Sequence, residues 1–355
     1  MSGDLSALRP PAIAAPDLDS LPEVPSVTLP DLRAFADIVA AERPIILKGL
    51  VEHWPALAAG RQSAEAMATY LKAMDQGVSA PVMEAPARTG GWFFYSPDLR
   101  EFNFSKRQRG VSETIDYMLS LAGDADAPFV AIQMLPLLTS LPRFVVENPM
   151  PLLPREVMPR LWLGGPVRSQ THNDRDHNLA CVIAGRRRFL LFPPEEVGNL
   201  YVGPLDNPPP LSFVNPEAPD LERFPRFARA MTKAVVAHLE AGDCLFLPKY
   251  WWHHVTSLDK FNVMVNYWWG DTATGLERAD DCFQTALLAL KDLPPGERAY
   301  WKAMFDAYVF RTADDATSHI PEVLRGALGP MNRERRAALK RQLRTAYMAG
   351  EGGNP

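Results

Sequence analysis

Short runs rich in β-branched and aromatic residues fill the stretch from residue 127 to residue 270, and turns containing proline or glycine separate them. Many short strands with frequent turns are typical of a β-sandwich or barrel. The 34 prolines and 8 tryptophans of the 355-residue chain favour the same loop-rich, aromatic architecture over a helical bundle. We therefore predict that residues 127–270 form a mainly β core.

The chain before this core is predicted to form two further regions. Residues 1–22 repeat proline and alanine, and such a segment buries too little apolar surface to fold, so we expect a disordered arm. Residues 23–126 combine helical spacing with a buried apolar strand that starts at Ile45, which predicts an α/β flank of the core. The predicted helices of this flank are 31–42, 63–74 and 112–121.

Helical spacing replaces the strand pattern after Gly270, which predicts a helical region over residues 271–350. Its predicted helices are 276–291, 297–309, 320–328 and 333–348. The last two are amphipathic, and an apolar stripe of this kind must be covered, either by a second copy of the chain or by the flank of its own core. Because a two-fold dimer is the commonest soluble assembly, we expect a homodimer held by these helices.

Charge and composition exclude several classes of protein. A net charge of -5 gives no electrostatic case for binding nucleic acid or a membrane surface. No apolar run reaches the length of a membrane span, and the first residues lack the pattern of a signal peptide. The 3 cysteines are scattered without C-x-x-C spacing, which indicates buried thiols in a reducing compartment. We expect a cytoplasmic protein.

Three residues have the spacing of a metal site. His172 and Asp174 are two residues apart, and His253 follows much later in the chain. Residues two apart on a strand point to the same side, so His172 and Asp174 can face one ion. Two histidines and one carboxylate form the facial triad, which leaves metal positions open and is typical of non-haem Fe(II) oxygenases.

Two short turns predict which other side chains share this cavity. Gly185-Arg186 reads as the turn of a hairpin that places Asn178 and Arg187 on the same face as the triad. An inward arginine at the end of a β cavity suits the far carboxylate of a dicarboxylic acid. Taken singly, however, an arginine on a strand is more often solvated, and a buried asparagine often satisfies backbone groups.

The second turn, Asp259-Lys260, predicts a hairpin in which His253 opposes Asn266. Both then point inward with Trp268 beyond them, while His254 points to the opposite side. This register selects His253 over His254 as the metal ligand. Trp268 has a structural alternative, because paired tryptophans in such runs commonly serve as core packing.

Three segments carry a family resemblance: Pro44–Leu57, Thr171–Pro194 and Gly242–Gly270. They resemble the Jumonji-C, cupin-like (cupin 8) branch of the 2-oxoglutarate oxygenases, and most closely its asparaginyl hydroxylases. The resemblance implies a double-stranded β-helix, a jelly-roll or cupin core, with flanking helices and a C-terminal helical region that dimerises.

The resemblance also assigns roles to residues of this chain. His172, Asp174 and His253 match the iron ligands. The residues that match the surroundings of 2-oxoglutarate and the metal are Ser169, where a threonine is usual, Asn178, Asn266 and Arg187. Arg187 departs from the family, which normally has lysine there, and this puts the choice of co-substrate in question.

The activity implied by the resemblance is oxidative. Fe(II), 2-oxoglutarate and O2 would together hydroxylate a substrate C–H bond, with a protein side chain as the favoured substrate. One alternative is hydroxylation of a free amino acid, peptide or other small molecule. Another is a catalytically inactive cupin-like binding protein that holds zinc or no metal. A histone-type demethylase is less favoured, because nothing in the chain indicates a chromatin-reading module.

Overall fold

The computed structural model describes residues 17–28, 31–121, 123–205, 210–270, 279–312 and 315–350, with side chains up to residue 345. The chain divides into two compact units, Met1–Gly270 and Asp271–Pro355.

The first unit contains all sixteen strands found among the described residues. In chain order they are β1 (Ser26–Thr28), β2 (Ile45–Lys48), β3 (Ser79–Ala85), β4 (Trp92–Phe93), β5 (Ser105–Gly110), β6 (Phe129–Pro136), β7 (Pro159–Gly164), β8 (Arg168–Asn173), β9 (His177–Ala184), β10 (Arg187–Phe192), β11 (Val202–Gly203), β12 (Leu211–Ser212), β13 (Val235–Leu239), β14 (Cys244–Leu247), β15 (Trp252–Ser257) and β16 (Asn262–Trp269).

These strands form two principal sheets. The larger has nine strands in the order β1-β2-β14-β9-β16-β7-β6-β3-β5, and the smaller has five in the order β13-β10-β15-β8-β4. Strands β11 and β12 form a separate pair. From β8 to β10, and again from β14 to β16, consecutive strands alternate between the two sheets, as in a jelly roll. The predicted double-stranded β-helix is confirmed.

An apolar core lies between the two principal sheets. Ala180 and Val182 of β9 contribute to it from the larger sheet, while Phe189 and Leu191 of β10 and Val255 of β15 contribute from the smaller one. Side chains alternate across each strand, so every second residue from these positions also faces inward. This alternation sets the face on which the candidate site residues lie.

Both predicted hairpins are wrong. Strand β9 pairs with β14 and β16, whereas β10 pairs with β13 and β15. The Gly185-Arg186 turn therefore crosses from one sheet to the other, and the Asp259-Lys260 turn does the same. The two turns are bound together, since Arg186 donates from its backbone N–H to Asp259 Oδ2 over 2.8 Å. A crossover and a hairpin both reverse the chain, and the same side chains point inward in either case. The residues predicted to face inward are therefore correct although the predicted strand pairs are wrong.

Helices pack on the outer faces of both sheets of the first unit, and the second unit contains further helices. In the first unit they are α1 (Leu32–Ala40), α2 (Pro55–Gln62), α3 (Ala64–Lys72), α4 (Val111–Ser120), α5 (Leu137–Ser140), α6 (Pro142–Glu147) and α7 (Phe227–Met231). Leu57 of α2 and Leu71 of α3 are buried in one core with Leu179 and Cys181 on the outward side of β9. Helix α2 was not predicted, because its small residues give a weak apolar period.

Residues 17–22 of the predicted disordered arm are folded, while residues 1–16 lie outside the described part of the chain. Leu18 is buried in a core with Leu190 on the outer face of the smaller sheet. Asp19 forms ion pairs with Arg188 at 3.2 Å and with His238 at 3.1 Å. One buried apolar side chain and these pairs are enough to order the segment.

The second unit contains helices α8 (Ala279–Leu290), α9 (Pro295–Phe305) and α10 (Arg333–Gly350). The helix predicted over 320–328 is wrong: Glu322–Leu324 and Gly326–Leu328 form two short 3-10 turns. Gly326 interrupts the helix because it adopts a φ of +51°.

The cysteine prediction holds in part, since Cys181 and Cys244 are buried but Cys282 on α8 is exposed. This helix buries none of its described side chains, so its cysteine is not enclosed. None of the helices among the described residues combines the length and apolar character needed to cross a membrane.

Candidate active site

The three predicted metal ligands converge on the inner face of the jelly roll. His172 near the end of β8 lies directly opposite His253 near the start of β15, and the two ring centroids are 4.3 Å apart. Asp174 follows β8 in the chain. One ligand atom from each residue can be chosen so that all three lie within 4.8 Å of one another. In the described part of the chain, no other group of three such residues meets this criterion.

Backbone hydrogen bonds orient both imidazoles. His172 Nδ1 lies 2.7 Å from the carbonyl oxygen of Gln170, and His253 Nδ1 lies 3.0 Å from that of Trp251. A carbonyl oxygen only accepts, so each Nδ1 carries a proton, and in the neutral ring Nε2 presents the lone pair. Fixing the tautomer through the second ring nitrogen is the usual arrangement for a histidine that binds a metal.

His253 is kept neutral by its surroundings. Burial lowers its pKa to about 4, and the neighbouring His172 contributes in the same direction. A neutral imidazole is the form that ligates a metal, so His253 needs no deprotonation near neutral pH.

Asp174 is held as a carboxylate by hydrogen bonds and by the histidines. Trp268 donates its indole N–H to Asp174 Oδ2 over 3.0 Å, and Asn178 also hydrogen-bonds this carboxyl group. Burial raises the pKa of Asp174, but His253, His172 and these hydrogen bonds outweigh burial and lower it. Asp174 is therefore a negatively charged carboxylate beside the two histidines.

Arg187 lies on the same inner face and is buried, with 6% of its surface exposed. Burial lowers its pKa to about 10, so it remains charged near neutral pH. Its Nε has no hydrogen-bond partner among the described residues, and the Ser257 hydroxyl on the neighbouring strand also has none. A buried cation without a counter-ion is costly, and a bound anion would remove that cost.

The two predicted asparagines are hydrogen-bonded to each other on the larger sheet. Asn266 donates to Asn178 Oδ1 over 2.6 Å, which continues the hydrogen-bonded chain that ends at Asp174. The side-chain oxygen Oδ1 of Asn266 is buried and has no partner among the described residues. Ser169 on β8 pairs with Val255, an inner-face residue of β15, so it lies on the cavity side of its strand.

His254 occupies the opposite face, as its place beside His253 predicts. Burial lowers its pKa to about 3, and neither ring nitrogen has a hydrogen-bond partner among the described residues. Its charged neighbours are Glu217, Arg188 and Arg168, on the outer side of the smaller sheet. It is not part of the ligand cluster.

Glu217 joins three adjacent strands behind the histidines, a feature that sequence reasoning missed. It accepts from Arg168 Nε of β8 and Arg188 Nη2 of β10, each over 2.7 Å, and from Thr256 Oγ1 of β15 over 2.9 Å. Two of these strands carry His172 and His253. Glu217 comes from a loop. The spacing of residues along a strand or helix does not predict which strands a loop residue contacts.

The residues present fit a divalent metal and a dicarboxylate. Two histidine nitrogens and one carboxylate on one side of an ion leave other positions open. The Arg187 guanidinium, unpaired among the described residues, provides an anchor for an anion on the same inner face. The Asn266 side-chain oxygen and the Ser257 hydroxyl are further buried polar atoms without a partner among the described residues, and both are available to a ligand.

Comparisons with known proteins agree with this geometry. The family model described as the cupin-like domain matches residues 31–275. Lysine-specific demethylase 8 of Xenopus tropicalis is 27% identical over 268 residues, which cover 73% of this chain and 55% of that protein. HSPB1-associated protein 1 of Homo sapiens is 36% identical over 147 residues, 39% of this chain and 30% of that protein.

A shorter match has higher identity. Lysine-specific demethylase JMJ31 of Arabidopsis thaliana is 40% identical over 104 residues, which cover 29% of this chain and 19% of that protein. The matched regions thus span between 19% and 55% of the length of these three relatives.

Proposed function

Because the chain belongs to the family of cupin-like, Jumonji-C domains, we propose that it is an Fe(II)- and 2-oxoglutarate-dependent oxygenase that hydroxylates a C–H bond of a protein side chain. One observation carries the proposal: a 2-His-1-carboxylate cluster and an unpaired buried arginine share the inner face of one jelly roll. A metal site with open positions and a separate anion anchor together fit a 2-oxo dicarboxylic acid.

The residues of the site would have separate roles. His172, Asp174 and His253 would hold Fe(II), while the backbone carbonyls behind the imidazoles keep both Nε2 atoms aimed at it. Arg187 would bind the far carboxylate of 2-oxoglutarate. When bound, Fe(II) with 2-oxoglutarate supplies the oxidising chemistry: O2 is reduced, the co-substrate becomes succinate and CO2, and the substrate carbon gains one oxygen atom.

The surrounding fold would orient the ligands and limit access of water. Asn178 and Trp268 fix the Asp174 carboxylate through hydrogen bonds, which keeps its ligand oxygen in place. The apolar core between the sheets includes Phe189 and Leu191, which share the inner face of β10 with Arg187. A water-poor cavity strengthens the pairing of a carboxylate with a guanidinium.

A protein side chain is the favoured substrate because two of the similar proteins are named lysine-specific demethylases, enzymes that act on a side chain. Small-molecule hydroxylation and a binding protein without turnover remain the alternatives. The intact triad and the orphaned arginine together support turnover, since a scaffold has no need of either.

Anaerobic reconstitution tests the proposal. The purified protein is loaded with Fe(II) and 2-oxoglutarate, exposed to O2, and assayed for succinate with and without a peptide library. We expect O2-dependent succinate, increased by some peptides that gain one oxygen atom by mass spectrometry. Asp174→Ala should lose both metal and succinate, whereas His53→Ala, at an exposed histidine of the first unit, should lose neither. Bound Fe(II) with no succinate in any condition would contradict the proposal.

A further inference from the structure

Strand β7 places two unassigned side chains on the inner face, beside the candidate site. Leu161 and Leu163 are buried in the core under the outer helices. Trp162, between them, packs against the core that lies between the sheets. Because side chains alternate along a strand, Arg160 shares the inner face with Trp162.

The register of β7 places Arg160 next to the site. Arg160 pairs directly with Asn266 of β16, and Asn266 donates to Asn178, which hydrogen-bonds Asp174. Directly opposed residues on neighbouring strands have adjacent side chains. Arg160 therefore lies one strand away from the hydrogen-bonded network that holds the metal-binding carboxylate.

Two tryptophans, Trp162 and Trp268, lie beside Arg160 and Asp174. The rings of Trp162 and Trp268 have centroids 6.1 Å apart and are tilted by 56°. Trp268 donates its N–H to Asp174, whereas the Trp162 N–H is buried and has no partner among the described residues. A buried donor without an acceptor favours a ligand that brings an acceptor oxygen.

Arg160 itself has no counter-ion in the part of the chain that the structure describes. It is half-buried, and no ion pair or hydrogen bond joins its side chain to any described residue. By contrast, Arg168 of β8, Arg188 of β10 and Arg186 in the turn between β9 and β10 all pair with carboxylates. The other unpaired inner-face cation, Arg187, already serves the far carboxylate of 2-oxoglutarate in the proposed function, so Arg160 remains available to the substrate.

Building on the proposed function, we infer that Arg160 selects an acidic peptide segment, with a substrate carboxylate bound by its guanidinium and by the Trp162 N–H. A guanidinium grips a carboxylate with two parallel hydrogen bonds, and a half-buried position strengthens the pair. The same cation repels an ammonium or methylated ammonium group. The site thus disfavours methylated lysine, the kind of group that a lysine demethylase would bind.

Affinity selection without turnover tests this inference. The intact protein, loaded anaerobically with Fe(II) and 2-oxoglutarate, is mixed with peptides that have random flanks and a central Asp, Glu, Asn, Lys or trimethyllysine. Bound peptides are counted by mass spectrometry. We expect acidic peptides to exceed lysine and trimethyllysine peptides by on the order of tenfold, the effect of one charge-assisted pair.

Variants separate Arg160 from general electrostatics. Arg160→Gln should abolish the acidic preference, Arg160→Glu should reverse it, and Arg160→Lys should retain part of it. Arg33→Gln removes an exposed arginine of α1 and should change nothing. Titration calorimetry should show unchanged 2-oxoglutarate affinity in all four variants, which shows that each is folded and keeps the co-substrate site.

Several outcomes overturn the inference. The first is equal recovery of acidic and basic peptides by the unsubstituted protein, which includes the case in which no peptide is recovered. The second is a preference for trimethyllysine peptides. The third is a preference for acidic peptides that persists in Arg160→Glu. The selection needs no chemistry, so it is separable from the proposed function. Acidic selectivity without succinate formation would support the binding site and refute the oxygenase, and the reverse result would refute only the role of Arg160.

Discussion

His253 lies directly opposite His172 on neighbouring antiparallel strands, with ring centroids 4.3 Å apart. The sequence predicted Asn266 as its cross-strand partner, but Asn266 belongs to the facing sheet. This pairing fixes the positions of both rings, because β8 and β15 hydrogen-bond to each other and each imidazole is held by the backbone carbonyl two residues before it.

Replacing either adjacent histidine distinguishes the ligand from its neighbour. His253→Ala should abolish tight Fe(II) binding, because it removes one of three ligands. His254→Ala should leave metal binding intact, since His254 faces the outer side of the sheet near Glu217. Metal content after gel filtration and calorimetric titration measure both. Loss of metal in His254→Ala with retention in His253→Ala would reverse the assignment of the inner face.

Arg187→Ala should weaken 2-oxoglutarate binding strongly. Truncating one partner of a buried charge-assisted pair costs about 2–5 kcal/mol. The readouts are the dissociation constant for 2-oxoglutarate with metal bound and the KM for 2-oxoglutarate. Arg186→Ala is a matched control, since Arg186 is exposed and pairs with Asp259 on the outside of the turn. An unchanged constant in Arg187→Ala would mean that another group anchors the co-substrate or that the co-substrate is different.

The sequence predicted which side chains face the cavity more accurately than how the strands pair. His172, Arg187 and Asn266 alternate correctly because a period of two belongs to each strand separately. Pairing depends on which sheet receives the next strand, and the turns at Gly185 and Asp259 look the same in a hairpin and in a crossover. The jelly-roll fold was therefore predicted from the family resemblance, and the correct faces from local alternation.

Other features had no local signal in the sequence. Glu217 comes from a loop and binds arginines from two strands and a threonine from a third. Arg160 becomes notable only through its register against Asn266 and because no described residue serves as its counter-ion. Both relationships join residues far apart in sequence, and no pattern within a single strand or loop encodes such pairs.

Glu217→Gln should destabilise the first unit near neutral pH by about 1–3 kcal/mol, because two arginines lose a charged acceptor. Burial raises the pKa of Glu217, but Arg168, Thr256 and other neighbours outweigh burial and lower it below 4.5. A group whose folded pKa is depressed stabilises the fold above its unfolded pKa, and that contribution is lost as pH falls through the folded pKa.

The stability difference between the two proteins should therefore shrink on acidification. Urea unfolding from about pH 7 to about pH 3.5 measures it, since most of the loss falls below the unfolded carboxyl pKa. Glu222→Gln, at an exposed position on the same loop, should leave stability unchanged. A difference that is constant across this range would show that Glu217 acts through packing and not through its charge.

The exposed apolar side chains of the second unit predict self-association. Val323 is 85% exposed and Leu324 is 72% exposed, so a partner surface could cover both. We propose a homodimer through this region, and Val323→Asp with Leu324→Asp should convert it to a monomer in light scattering. Val146→Asp, at a valine that is 79% exposed in the first unit, is the matched control. A monomeric mass for the unsubstituted chain at micromolar concentration would refute the dimer.

Labelled oxygen tests the central claim most directly. The protein is loaded with Fe(II) and 2-oxoglutarate and given 18O2, and the succinate is analysed by mass spectrometry. The proposed chemistry predicts one labelled oxygen atom in each succinate molecule. It also predicts loss of succinate in Asp174→Ala, where a metal ligand is removed, and a strong reduction in Arg187→Ala at limiting 2-oxoglutarate. Unlabelled succinate, or the absence of succinate from protein that retains its iron, would contradict assignment of the site as a 2-oxoglutarate oxygenase.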